Sequence, residues 1–344
     1  MTSLDPLPTT TTPVKERVPY LDNARYWVMI LVVVGHSLTE LRSNDVVNGI
    51  YTWLYAFHMP VFILISGYTA RNYVGDFRQV QRLVSTLLLP YILVETTLQL
   101  MMRHYTGEPD PLMILSPQWL GWFIIALFLW RLMTPILRAL KYPITTSIIV
   151  SLLIGLIEVP NVLALPKVLG LLPFYVVGLH LKIEHFRMLS SLWIRASSVL
   201  LLGASLAIAI AYSDRWTFQW LLWKYRYDED PLLASPAEGV VQRAALLALG
   251  FILSAAVLSI IPWARSWTSN LGTRTVYCYL LHGYIILYLD QQFDFFDKVV
   301  EQGWWAIIAV AVGAAIVANV LMTKPVGKLF RPLFEPRQSW MFRT

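Results

Sequence analysis

The chain reads as an all-α, polytopic membrane protein of about ten transmembrane helices, with both N and C termini cytoplasmic. Three observations carry that reading. Of 344 residues, 57% are hydrophobic and only 14% charged, and the mean hydropathy is +0.57, well outside soluble usage. The charges cluster between apolar runs, as in a bundle of membrane-crossing helices. The basic residues also sort by side: tails and alternate loops on the N-terminal side collect 19 of the 27 Lys and Arg, while the other side collects 8, with 15 of the 21 acidic residues. The positive-inside rule produces that asymmetry when the span count is even, so the net charge of +6 reflects topology and calls for no nucleic-acid partner.

In chain order, residues 1–20 are rich in Thr and Pro, with no apolar core of a signal peptide before Tyr26. They are expected to form a flexible cytoplasmic tail. Ten apolar stretches follow, near 22–39, 48–70, 83–102, 118–140, 144–160, 165–182, 193–212, 240–263, 274–290 and 303–323. The fifth and sixth are short and suit tilted or partly re-entrant segments. The membrane domain is expected over 21–330, with a second cytoplasmic tail at 331–344, in a multi-pass protein of the cell (plasma or inner) membrane. The lone cysteine, Cys278, lies in an apolar run, so neither an internal disulfide nor a cysteine metal cluster is expected. The outward connection 213–239 interleaves Trp216, Trp220, Trp223, Tyr225 and Tyr227 with charged residues. That pattern suits sugar or headgroup contacts, and equally an aromatic belt at the membrane surface.

Ionisable residues inside the spans are costly and are candidates for function. Arg25 and His36 lie eleven residues apart on the first span, three turns plus about 20°, so they share one face about 16 Å apart. His58 on span two and Glu95 on span three fall near the depth of His36, and His282 on span nine lies somewhat nearer the cytoplasm. Four titratable groups in one slab suggest a shared polar cavity. Pro60, in Phe57-His58-Met59-Pro60, lacks an amide hydrogen, so the Ala56 carbonyl loses its helical partner and a kink is expected.

These residues resemble the integral membrane acyltransferase family 3. The resemblance rests on Leu21-Asp22-Asn23 before Arg25 and His36, on Phe57-His58-Met59-Pro60 with Ser66-Gly67-Tyr68, and on Arg78 and Arg82 before Leu89-Pro90-Tyr91. It continues through Gln118-Trp119-Leu120-Gly121-Trp122-Phe123, Leu172-Pro173-Phe174-Tyr175 with Gly178, and Leu271-Gly272 leading to Tyr279-Leu280-Leu281-His282. It is similar to fucose 4-O-acetylase-like members and to actinobacterial enzymes that acetylate trehalose mycolates. The resemblance implies ten spans, acetyl-CoA as donor, a glycan or glycolipid acceptor in the cell envelope, and no metal. The basic cluster before Pro90 is sparser than in the family.

On that footing Arg25, helped by Arg78 and Arg82, holds donor phosphates at the inner surface. The slender pantetheine arm reaches the thioester to His36. Neutral His36 then acts as general base toward an acceptor hydroxyl, with a covalent acyl-histidine as the variant. Glu95 or His58 orients His36 or shuttles its proton, and the residues leave both open. His58, Ser66 or backbone near Pro60 supply oxyanion donors. Asp22 caps span one or steadies Arg25, and Tyr279 and His282 support the site. The rival reading is a proton-coupled transporter or flippase of a lipid or glycolipid, which also uses buried His and Glu; against it, the halves of the chain do not match.

Overall fold

The computed structural model describes residues 17–107, 111–215, 217–229, 235–336 and 342, so most of the expected N-terminal tail and half of the expected C-terminal one lie outside the described residues. Among the described residues every regular element is a helix.

Helix α1 (Pro19–Ser37) opens on a proline, whose missing amide is harmless in a first turn. After a short 3-10 turn, α2 (Asp45–Tyr55) begins where the Asn44 side chain accepts from the amides of Val46 and Val47. The helix breaks at Ala56–Phe57 and resumes as α3 (His58–Ala70), which places the kink expected from Pro60. A long span follows from α4 (Phe77–Leu83) through a π-turn at Val84–Leu88 into α5 (Leu89–Thr106). The π-turn absorbs the carbonyl that Pro90 leaves without a partner. Next come α6 (Gly121–Ala139), α7 (Pro143–Leu153), α8 (Leu165–Gly170) and α9 (Leu172–His180), the last two meeting at a 60° bend. Then follow α10 (Ile183–Met188), α11 (Leu192–Ala211), α12 (Pro236–Ile260) and α13 (Trp267–Gly272). The chain finishes with α14 (Thr275–Phe293), α15 (Phe295–Gln302), α16 (Trp304–Leu321) and α17 (Lys324–Phe334). The tail boundary expected at 331 falls inside α17.

Each of the ten apolar stretches coincides with a helix or a pair of helices. Six are long and apolar enough to cross a membrane, or seven if the bent α8–α9 pair is one span. The shortfall from ten has a physical cause. Helix α7 is short, while α1 and α14 carry the buried polar residues that lower their hydropathy. The polar residues of α1 are enclosed by neighbouring helices, since α1 is packed by α3, α13, α14 and α16. The peripheral α11 shows the reverse pattern. Its buried residues are Ser198 and Leu202, whereas Leu192, Trp193 and Leu200 are 78%, 84% and 73% exposed. Apolar outside and polar inside is the pattern of a helix whose solvent is hydrocarbon.

Close approach of backbones holds the centre. A Cβ added to Gly67 would lie 2.2 Å from the Tyr175 carbonyl oxygen, and one on Gly178 2.3 Å from that of Leu64. Helices α3 and α9 therefore touch backbone to backbone, which only glycine allows at both positions. Asn23, fully buried on α1, is a second fastening. Its amide donates to the carbonyls of Pro262 and Ala264 at 2.8 and 3.0 Å, and its oxygen accepts from Thr268 and Ser269 at 2.7 Å each. It pins the α12–α13 connection to α1.

Candidate active site

The C-terminal end of α1 places His36 where α14 places His282. His36 Nδ1 lies 2.9 Å from His282 Nε2, with the rings stacked at 5.1 Å. The hydrogens of this pair follow from its far end. His282 Nδ1 lies 2.9 Å from the Cys278 carbonyl oxygen, which can only accept, so Nδ1 carries hydrogen and the neutral ring presents a lone pair at Nε2. His36 Nδ1–H then donates to that lone pair, which leaves His36 Nε2 unprotonated. Its ring lines a cavity of about 220 Å³ with His58, Tyr55, Trp119 and Tyr279. Trp119 is tilted against His36 at 5.6 Å. A free imidazole nitrogen facing a small cavity can take a proton from a bound hydroxyl.

The other expected residues divide between this cavity and elsewhere. His58 lines the cavity, but its Nδ1–H donates to the Leu54 carbonyl at 2.7 Å, at the break that frees such carbonyls. Tyr279 lines it too, with its hydroxyl donating to the Leu120 carbonyl at 2.5 Å. Glu95 is engaged elsewhere: it accepts from Gln99 Nε2 at 2.7 Å and from the Gln118 amide at 3.0 Å. Its rotation on α5 thus directs it at the loop that carries Gln118, and it is not among the residues lining the cavity. Ser66 stands two turns beyond His58 on α3 and is not among the residues lining the cavity.

At the opposite end of α1, Arg25 Nη1 donates to Asp22 at 2.9 Å, and Asp22 also accepts from Arg17 Nε at 2.6 Å. Asp22 therefore serves the guanidinium and lies more than three turns from His36. Arg78 and Arg82 are exposed on α4. Between Arg25 and His36 the shared face of α1 carries Met29 and Val32, 2% and 1% exposed. Sequence reasoning missed Arg42 and Lys167, which also line the cavity. Their signal was positive charge on the side of the membrane where it is scarce.

The cavity has a neighbour of about 310 Å³ lined by Gln219, Trp220, Tyr225, Arg226, Tyr227 and Arg243, and the two share Trp223 and Lys224. The aromatic outward connection thus forms the outer walls of both. Trp216 lies outside the described residues.

A helical membrane bundle with two imidazoles paired beside a polar cavity defines the class: an integral membrane protein with a candidate site for proton transfer. The chain belongs to acyltransferase family 3, whose family model, described as an acyltransferase domain, matches residues 18–324. It is therefore a membrane acyltransferase. It is similar to the nodulation protein NolL of Sinorhizobium fredii (strain NBRC 101917 / NGR234), with 26% identity over 314 residues, 84% of this chain and 83% of that protein. No solved structure matches it.

Proposed function

We propose that this acyltransferase is an O-acetyltransferase of the cell membrane that moves acetyl from cytoplasmic acetyl-CoA to a hydroxyl of a cell-envelope glycan or glycolipid. The observation that carries the reading is the 2.9 Å approach of His36 Nδ1 to His282 Nε2 beside the cavity that His36 lines, on a helix whose other end presents Arg25. In the reaction, His36 Nε2 takes the acceptor hydroxyl's proton as the oxygen attacks the thioester carbonyl carbon. The tetrahedral intermediate collapses with cleavage of the C–S bond, and the thiolate of CoA receives the proton from His36. His282 accepts the Nδ1–H throughout, holding the ring in one tautomer and easing its transient positive charge. Arg25, fixed by Asp22, binds phosphate of the donor and sets its register. The aromatic walls formed by Trp223 and its neighbours suit the faces of a sugar.

Purified protein should consume acetyl-CoA in the presence of a cell-envelope glycolipid extract. His36→Ala should lower kcat by about 10²- to 10⁴-fold while the protein keeps its fold. Normal transfer by that variant would overturn the general-base assignment, and a carrier would show no turnover at all. Arg25→Ala should raise the KM for acetyl-CoA about ten-fold, the loss of one charge-assisted contact. Asp22 keeps Arg17 in that variant, so the fold should survive.

A further inference from the structure

The side of the membrane away from Arg25 is poor in positive charge, holding 8 of the 27 Lys and Arg. Five of those eight line the two joined outer cavities: Arg42, Lys167 and Lys224 around His36, with Arg226 and Arg243 beyond. The cavity at His36 has no carboxylate in its lining, although acidic residues outnumber basic ones on that side. In the adjoining cavity the lining acid is Glu229, which accepts the Arg226 amide at 3.2 Å.

Among the described residues four of the five are held in place without an ion pair. The Arg42 guanidinium stacks on Phe218 at 4.0 Å and Tyr51 at 4.7 Å, with its Nε donating to the Thr39 carbonyl at 2.7 Å. Lys167 Nζ sits 4.8 Å from the Trp122 ring centre. Arg243, 7% exposed, donates to the carbonyls of Ser151 and Tyr225 and lies over Tyr227. Among the described residues none of Arg42, Lys167, Lys224 or Arg243 makes an ion pair, while Arg226 pairs with Asp228 and Glu158. Several like charges in a narrow cleft with low-dielectric walls repel one another and focus a positive field on its contents. A neutral sugar would enter that field and leave it uncompensated; an anion would relieve it.

We infer that the acceptor is an anionic glycan, carrying a phosphate or carboxylate beside the hydroxyl that is acetylated, and that Arg42, Lys167 and Lys224 recognise this group. The inference rests on the acetyl-transfer reading for its use of the cavity, and it narrows the acceptor away from neutral disaccharides such as trehalose. Phosphate and carboxylate share the recognition chemistry, and the probes separate them.

The experiment measures binding of glucose, glucose 1-phosphate, glucuronate and inorganic phosphate to the full chain in nanodiscs, at low and high salt. At least one anionic sugar should bind about ten-fold or more tightly than glucose, as for a charge-assisted contact, with the advantage shrinking as salt rises. The variant Arg42→Gln with Lys167→Met should lose the advantage while its saturation by acetyl-CoA stays normal. Should that variant fold poorly, Lys224→Glu, at an exposed position, should reduce it too. An absence of anionic preference, whether all sugars bind alike or none binds, overturns the inference. So does a variant that keeps the preference but saturates poorly with acetyl-CoA, since the cations would then serve the donor's phosphates. Binding to His36→Ala separates this test from the catalytic one: that variant should still prefer the anionic sugar even though turnover is gone.

Discussion

In a Ser–His–Asp arrangement a carboxylate stands behind the imidazole and steadies its positive form; here the group behind His36 is a second imidazole, 2.9 Å away. A neutral ring orients as a carboxylate does but offers less charge. His282→Ala should therefore lower kcat about ten- to hundred-fold, less than loss of the base itself, with the KM for acetyl-CoA unchanged. His282→Gln, whose amide oxygen can accept the same hydrogen, should recover part of the rate, and steady-state kinetics on both variants will show it. Depth counted along the helices was legible in the sequence: it put His36 and His58 together, and both line one cavity, while His282, expected somewhat nearer the cytoplasm, meets His36 directly. Rotation about each helix axis was not legible. Glu95 turns instead to Gln99 and Gln118, because the 113–118 connection it fastens lies on that side of α5. Lys167 was passed over for the opposite reason: at the start of a short apolar stretch, a lysine looks like a boundary.

Among the elements, the motif residues near Ser66 and Tyr175 do mechanical work. Gly67 and Gly178 set the contact of α3 with α9, and that contact fixes α3, whose first residue is His58. Gly178→Val would push a side chain into the Leu64 carbonyl and should destabilise the protein by several kcal/mol, as overpacking and backbone displacement do. It should be read as a lower melting temperature in detergent, with activity lost in parallel. Asn23→Ala strips partners from two carbonyls and two hydroxyls at once. About 2 kcal/mol or more should be lost, again by thermal melting. The helix break at Ala56–Phe57 was readable because proline chemistry is local. The α3–α9 contact was not, since it depends on two glycines more than a hundred residues apart.

For the whole molecule, hydropathy and the distribution of charge made the helical membrane class legible, and each of the ten apolar stretches holds a helix, of which six or seven are long and apolar enough to cross. The number of helices that cross is harder to read, because α1 and α14 are polar where they are buried and would be rejected on composition alone. Sidedness can be tested directly, since Cys278 is fully buried and contributes little background to labelling. With both termini inside, Lys224→Cys should react with an impermeant maleimide added outside intact cells, and Arg78→Cys only after the membrane is opened. Reversed accessibility would invert the topology.

One consequence belongs to Met29 and Val32, the buried pair between Arg25 and His36. An enzyme that draws on one compartment and delivers to another risks becoming a leak, and a single file of water through it would short-circuit the ion gradients of the cell. On the proposed route along α1, these two side chains, 2% and 1% exposed, are a dry septum that a thioester arm must displace and that hydrated ions do not cross.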